Sequence, residues 1–159
     1  MITLTIPEQK LAKYVSTKRY LTCRAWGLPI SKVGPQSLKD TDLEGFASEL
    51  AAARLLNVYP DLDLNVQAED LKTAQGYSVD VKVTKYPHGK LISKITKTEK
   101  PCDFYMLMIG TFPSYECCGV ASRSSLLCPT TLKDFGYGPT HALDQEQLMS
   151  FKLFNNKYN

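Results

Sequence analysis

Apolar residues recur at helical spacing in the first third of the chain. From Pro7 to about Trp26 they fall on one face and basic residues fall on the other, which predicts an amphipathic helix. Residues 31–39 follow as a predicted loop. A second helix is predicted from Thr41 to Asn57, where Thr41 and Glu44 form a capping box that would satisfy the first free backbone N–H groups.

In the middle of the chain the period changes to two. Residues 70–73 and 77–85 predict two strands, joined by a short turn, residues 74–76, that ends in a glycine. In the second strand valines alternate with polar residues, so the valines face the core while Asp80 and Lys82 share the opposite face.

The length of that turn decides where Asp70 lies. A three-residue turn places Asp70 directly opposite Asp80, on the same face and with Cβ atoms about 5 Å apart. A two-residue turn would pair Asp70 with Val81 instead and direct it to the valine face, which would argue against a joint site. We expect the three-residue turn, so that both carboxylates could bind one cation.

The rest of the chain alternates strands, loops and short helices. The predicted elements are a buried strand over 103–109, a strand over 115–121, a short helix over 124–127, a loop-rich region over 129–141, and a final helix over 144–154 that Asp144 caps. This order predicts one α/β domain over residues 1–159, with a mixed central β-sheet flanked by helices.

Glu49 stands out within the second predicted helix. At 100° per residue it falls inside the apolar arc that also holds Leu50, Ala53 and Leu56. An ionised group on a core-facing surface is costly without a partner, so we expect a cation beside Glu49. That cation is either a metal ion or, for purely structural reasons, a lysine or arginine.

Charge is distributed unevenly along the 159 residues. The formal net charge of +3 conceals a net of +6 over residues 1–39, −7 over 40–80 and +5 over 81–100. An acidic segment between two basic segments suits a metal site that faces a polyanion, since carboxylates hold the cation and lysines hold phosphates. Two solvated lysine faces beside an acidic helix would give the same pattern.

Several other classes of protein fit poorly. The longest apolar stretch is strand-sized, far short of the roughly 18 residues of a membrane helix. The five cysteines form no CxxC pair and the two histidines lie far apart, which disfavours a Cys/His metal site. No phosphate-binding P-loop or nucleophile-elbow motif is present.

A carboxylate in a helix, then an aspartate, then Asp-x-Lys at the end of a hairpin is an arrangement that resembles the PD-(D/E)XK nuclease superfamily, which has the restriction-endonuclease-like fold. Here the matching residues are Glu49, Asp70, Asp80 and Lys82. Residues 45–49, 79–84 and 102–105 look similar to small phage-encoded members. The resemblance covers residues 41–127, between a basic N-terminal helical region (1–39) and a C-terminal loop and helix (128–159).

The resemblance implies a nuclease, expected to be an endonuclease, that hydrolyses DNA phosphodiester bonds with Mg²⁺, or with Mn²⁺ as a substitute. Asp70, Asp80 and Glu49 would bind the metal and Lys82 would orient the attacking water. The next lysines along the chain would contact the DNA backbone: Lys85, Lys90 and Lys94.

Some alternatives stay open from sequence. Asp61 or Asp63, which follow Pro60, could replace Asp70 as the first acidic residue, and no proline precedes Asp70. The chain could instead be a non-catalytic DNA-binding or regulatory module that retains the nuclease fold. Its N-terminus lacks the pattern of a signal peptide, so we expect a cytoplasmic protein, in the host cytoplasm if phage-encoded, with no membrane partner. The resemblance leaves room for a homodimer.

Overall fold

The computed structural model of the chain describes residues 1–27, 37–63, 69–94, 101–136 and 138–159. Within them, helices and strands alternate. In chain order they are β1 (Ile2–Thr3), α1 (Ile6–Ala25), α2 (Leu38–Leu56), β2 (Leu71–Lys72), β3 (Ser78–Thr84), β4 (Leu91–Ser93), β5 (Phe104–Thr111), β6 (Ser114–Ser122), α3 (Arg123–Leu126), β7 (Leu132–Asp134), β8 (Pro139–Leu143) and α4 (Phe151–Tyr158). The predicted loop at 31–39 lies largely outside the described residues.

The first helix confirms the prediction. It begins one residue before Pro7, and the Glu8 carboxylate accepts a hydrogen bond from the backbone N–H of Thr5 at 2.6 Å. Proline needs no hydrogen-bond acceptor in the first turn, and Glu8 satisfies the cap residue's own donor. The sequence therefore starts α1 with two independent signals.

The predicted start of the second helix is wrong. Helix α2 begins at Leu38, three residues before Thr41, because Ser37 caps it and accepts a hydrogen bond from the backbone N–H of Asp40 at 3.1 Å. Glu44 therefore lies inside the helix. Its carboxylate accepts hydrogen bonds from the Phe112 backbone N–H at 3.1 Å and the Tyr115 hydroxyl at 2.7 Å, so it fastens α2 to the sheet.

The main sheet has five strands in the order β1-β6-β5-β3-β2. Strands β3 and β5 run parallel and the other neighbours run antiparallel. Because β5 is central, its residues 104–108 are buried, as the continuous apolar pattern predicts. The predicted α/β class with a mixed central sheet is confirmed.

A second, smaller sheet was not predicted. It has three antiparallel strands in the order β4-β8-β7, and two of them fall in the region 129–141 that the sequence predicts as loop-rich. Strands of three to five residues carry too little alternation to be recognised, and β4 pairs with a segment far along the chain.

The final helix also differs from its prediction. Asp144 caps only a single 3₁₀ turn over residues 145–147, and α4 begins later, after Ser150. Between them Met149 pairs with Val120 of β6 through two backbone hydrogen bonds of 2.9 Å. This pairing keeps the chain extended where the sequence predicts a continuous helix.

Two apolar cores lie on opposite faces of the main sheet. Helices α1, α2 and α4 cover one face, which receives Val79 and Val81 from β3. The small sheet and α3 cover the other face, around Tyr105 and Leu107. Asp80 and Lys82 pair in register with Tyr105 and Leu107, so they project toward this second face, as the period of two predicts.

Among the described residues, no helix is both long and apolar enough to span a membrane.

Candidate functional site

The hairpin of β2 and β3 confirms the three-residue turn. Leu71 pairs with Val79, and the Thr73 backbone N–H donates to the Tyr77 carbonyl at 2.9 Å, which closes the turn around Gly76 at φ 89°. The ladder begins at Leu71, and Asp70, one residue before it, would lie opposite Asp80 if the same register continued. The hairpin therefore brings Asp70 next to β3 at the start of β2.

Asp70 lies in an environment that opposes its charge. One oxygen, Oδ2, accepts a hydrogen bond from the Val81 backbone N–H at 2.7 Å. Burial, followed by the negative charges of Glu49 and Asp80, raises the pKa of Asp70 well above its ordinary value. Three acidic side chains of the predicted site thus act electrostatically on one another, and a bound cation would relieve their repulsion.

Asp80 and Lys82 form an ion pair on β3. The Lys82 ammonium lies 2.9 Å from Oδ1 and 2.7 Å from Oδ2 of Asp80. Both oxygens of Asp80 therefore lie within ion-pair distance of one ammonium, and Oδ2 is buried.

Glu49 is buried on α2 and its partner is Arg19. The Arg19 Nη1 donates to Glu49 Oε2 at 2.8 Å, and both side chains are almost fully covered, at 13% and 12% exposure. Burial raises the pKa of Glu49, and the Arg19 charge acts in the opposite direction. The expectation of a cation beside Glu49 is confirmed, and in this structure an arginine supplies it.

Arg19 was not predicted from the sequence to be a site residue. A signal was nevertheless present, because Ala12, Val15 and Ser16 are the buried residues of α1 and Arg19 continues their spacing by three or four residues. An arginine on the buried stripe of a helix needs an acidic or carbonyl partner in the core.

The alternative aspartates lie on the Glu49 side of the site. Asp61 contributes a negative charge that raises the pKa of Glu49, and its carboxylate accepts a hydrogen bond from the Asp63 backbone N–H at 2.8 Å. Asp63 is exposed. Asp70 is the aspartate that contacts β3, through the Val81 backbone N–H next to Asp80, so Asp70 remains our choice of first acidic residue.

The three predicted DNA-binding lysines differ in their surroundings. Lys85 is exposed at the end of β3, with its ammonium 5.4 Å from the centre of the Tyr86 ring. Lys90 pairs with Asp144, whose other oxygen lies 3.9 Å from Lys133. Lys94 is exposed after β4. Lys90 is thus partly neutralised, whereas Lys85 presents its charge to solvent.

The carboxylate oxygens of the site are the kind of ligand that a hard cation such as Mg²⁺ binds, but the described side chains are not positioned as a complete set of metal ligands. Asp70 and Asp80 supply carboxylate oxygens, the ligands that Mg²⁺ prefers, and the charge of Asp80 acts on Asp70. Among the described residues, however, no three His, Cys, Asp or Glu side chains form a ready metal-binding group. Glu49 is held by Arg19 and Asp80 by Lys82, so both carboxylates already have a cationic partner.

Comparison with protein-family models, curated proteins and solved structures finds no match to this chain.

Proposed function

We propose that this chain is a metal-dependent endonuclease that hydrolyses DNA phosphodiester bonds, of the PD-(D/E)XK type and with a restriction-endonuclease-like core. The observation that carries this proposal is the hairpin register. It pairs Leu71 with Val79, so Asp70 lies next to β3 and its Oδ2 accepts a hydrogen bond from the Val81 backbone N–H, between Asp80 and Lys82 of the same strand. The mixed sheet between layers of helices and strands supports the same proposal at the level of fold.

Each residue has a defined role in this proposal. Asp70, Asp80 and Glu49 would hold Mg²⁺ or Mn²⁺, which would supply Lewis-acid activation of the phosphate and of the attacking water. Lys82 would orient the attacking water and offset charge on the phosphate.

Plasmid cleavage in the presence of Mg²⁺ or Mn²⁺ tests the proposal. Asp80→Ala should reduce cleavage to background, and Lys82→Ala should lower the rate by about 100-fold or more, as expected for loss of a general acid–base group. Matched controls are Glu146→Gln and Lys152→Ala, which change the same charges at exposed positions and should cleave normally. Cleavage that survives both Asp80→Ala and Lys82→Ala would rule out this site.

A second candidate function is a non-catalytic DNA-binding or regulatory module. It is favoured by the two ion pairs of the site, since Arg19 already neutralises Glu49 and Lys82 already neutralises Asp80. In that case the chain should bind duplex DNA equally well in EDTA and in Mg²⁺, and should not cut it. Asp80→Ala would then alter stability without altering metal affinity.

A further inference from the structure

Arg19 makes more polar contacts than a surface ion pair would need. Besides its bond to Glu49, its Nε donates to the Asp63 carbonyl and its Nη2 to the Asp61 carbonyl, both at 3.1 Å. Its guanidinium also lies 4.7 Å from the centre of the Phe46 ring. All three nitrogens are therefore engaged, and the planar group is held by α2 and by the segment that follows it.

Such a guanidinium is fixed in place, and it fixes Glu49 in turn. An arginine that keeps two backbone carbonyls and an aromatic ring as partners cannot follow a carboxylate that rotates away. One oxygen of Glu49 is committed to it. The other oxygen, Oε1, takes no part in the bond to Arg19. The charge of Glu49 acts on Asp70, and that of Asp80 acts on Glu49, so the three carboxylates belong to one electrostatic cluster.

We propose that Arg19 is a positioning residue for the metal site: it holds Glu49 in one orientation, so that Glu49 reaches the cation through Oε1 alone. This inference rests on the proposed function, because it requires that Asp70 and Asp80 bind a cation. It assigns to the basic N-terminal helix a role inside the site, separate from any contact with DNA. Residues that orient a ligand through a hydrogen bond typically change metal affinity by about tenfold or more when replaced.

Lysine is the informative replacement at this position. Arg19→Lys keeps the positive charge beside Glu49, but one ammonium cannot reach Glu49 and both carbonyl groups with the geometry of a guanidinium. A role limited to neutralising Glu49 would therefore survive in Arg19→Lys, whereas a positioning role would not.

The test measures Mn²⁺ binding by calorimetry on the full chain without DNA, together with thermal unfolding in EDTA. We expect Arg19→Lys to weaken Mn²⁺ binding about tenfold, and Glu49→Gln to weaken it by a similar factor. In the Glu49→Gln background, Arg19→Met should have no further effect on Mn²⁺ affinity, because the carboxylate that Arg19 positions is gone. That double variant leaves no unpaired buried charge, so it provides a test even if Arg19→Lys does not fold.

The results distinguish failure of the proposed metal site from failure of the role proposed for Arg19. No Mn²⁺ binding by the unaltered chain would overturn the proposed metal site and this inference with it. Binding by the unaltered chain that is unchanged in Arg19→Lys would overturn this inference alone. A further loss of affinity in Arg19→Met with Glu49→Gln, relative to Glu49→Gln, would show that Arg19 acts through something other than Glu49 and would equally overturn it.

Discussion

At the scale of single residues, Asp70 is the carboxylate of the site whose ionised form is opposed by burial and by two neighbouring negative charges. Its carboxylate is desolvated and faces the like charges of Glu49 and Asp80, and one backbone N–H, that of Val81, contacts it. Removing this charge should relieve repulsion in the metal-free protein. It should also remove a ligand that a cation needs, so the two effects have opposite signs and can be separated.

We therefore expect Asp70→Asn to raise the free energy of unfolding in EDTA by about 1 kcal/mol, a typical size for relieving one such buried repulsion. In Mg²⁺ the unaltered chain should instead be the more stable of the two proteins. A cation at about 100 times its dissociation constant stabilises the unaltered chain by about 2.7 kcal/mol, and Asp70→Asn should lose most of this gain. Urea unfolding with and without Mg²⁺ measures both effects, with Glu146→Gln as control. Equal stabilisation of both proteins by Mg²⁺ would exclude Asp70 as a ligand.

The hairpin that carries Asp70 and Asp80 could be predicted from the sequence, whereas the contact of Glu49 with Arg19 could not. The approach of Asp70 to β3 follows from a turn of three residues, which is local information. The contact of Glu49 with Arg19 joins two helices across 30 residues of sequence. Helical period could show that both side chains point inward, but the packing of α1 on α2 decides which group each one meets.

At the scale of elements, the ends of helices account for the main differences between prediction and structure. The motif at Thr41 and Glu44 has the letters of a capping box, yet Ser37 starts α2 one turn earlier. Asp144 starts a single turn, and Ser150 starts the helix proper. In each case the sequence offers two capping residues close together. For the last helix, the pairing of Met149 with Val120 keeps the chain extended between them.

The cap of α1 gives a prediction at this scale. Burial alone would raise the pKa of Glu8, but hydrogen bonds from the Thr5 hydroxyl and N–H and the Arg54 charge outweigh it and hold that pKa below its ordinary value. A carboxyl with a lowered pKa in the folded state stabilises the fold above its unfolded pKa, and this stabilisation is lost as pH falls through the folded pKa.

Glu8→Gln should therefore lower the free energy of unfolding by about 1 kcal/mol at pH 7 and by progressively less as the solution is acidified through the pKa of Glu8. Chemical denaturation across this pH range measures the difference between the two proteins. High salt should reduce the part that comes from Arg54, which is partly exposed. A difference that is constant with pH would show that Glu8 acts through packing and not through its charge.

At the scale of the whole molecule, the lysines differ in whether an acidic side chain pairs with them: Lys90 and Lys133 lie beside Asp144, whereas Lys85 is exposed beside Tyr86. The predicted class and the central strand are confirmed, whereas the small sheet that carries β4 and β8 could not be foreseen from its short strands. This sheet lowers the effective positive charge of the basic segment over residues 81–100. It brings Asp144 next to Lys90 and Lys133, so charge counted along the sequence overstates the charge that DNA would meet.

DNA binding should therefore depend unequally on these groups. Lys85→Ala should weaken binding to a short duplex and lower the salt dependence by about one phosphate contact, a slope of about 0.9, whereas Lys90→Ala should have a smaller effect. Asp144→Asn should strengthen binding, because it releases both Lys90 and Lys133 while asparagine can still cap the following turn. Fluorescence anisotropy in EDTA at several salt concentrations measures these effects without cleavage.

The exposed Glu146 provides the matched control for Asp144, since Glu146→Gln removes one negative charge two residues away without releasing a lysine pair. If Asp144→Asn and Glu146→Gln strengthen binding equally, the effect is one of net charge alone. If Asp144→Asn strengthens binding more, Lys90 and Lys133 contact the phosphates once they are released. If neither lysine substitution nor Asp144→Asn changes the affinity, the duplex does not lie across the small sheet, and the DNA-binding role predicted for Lys85 and Lys90 is wrong.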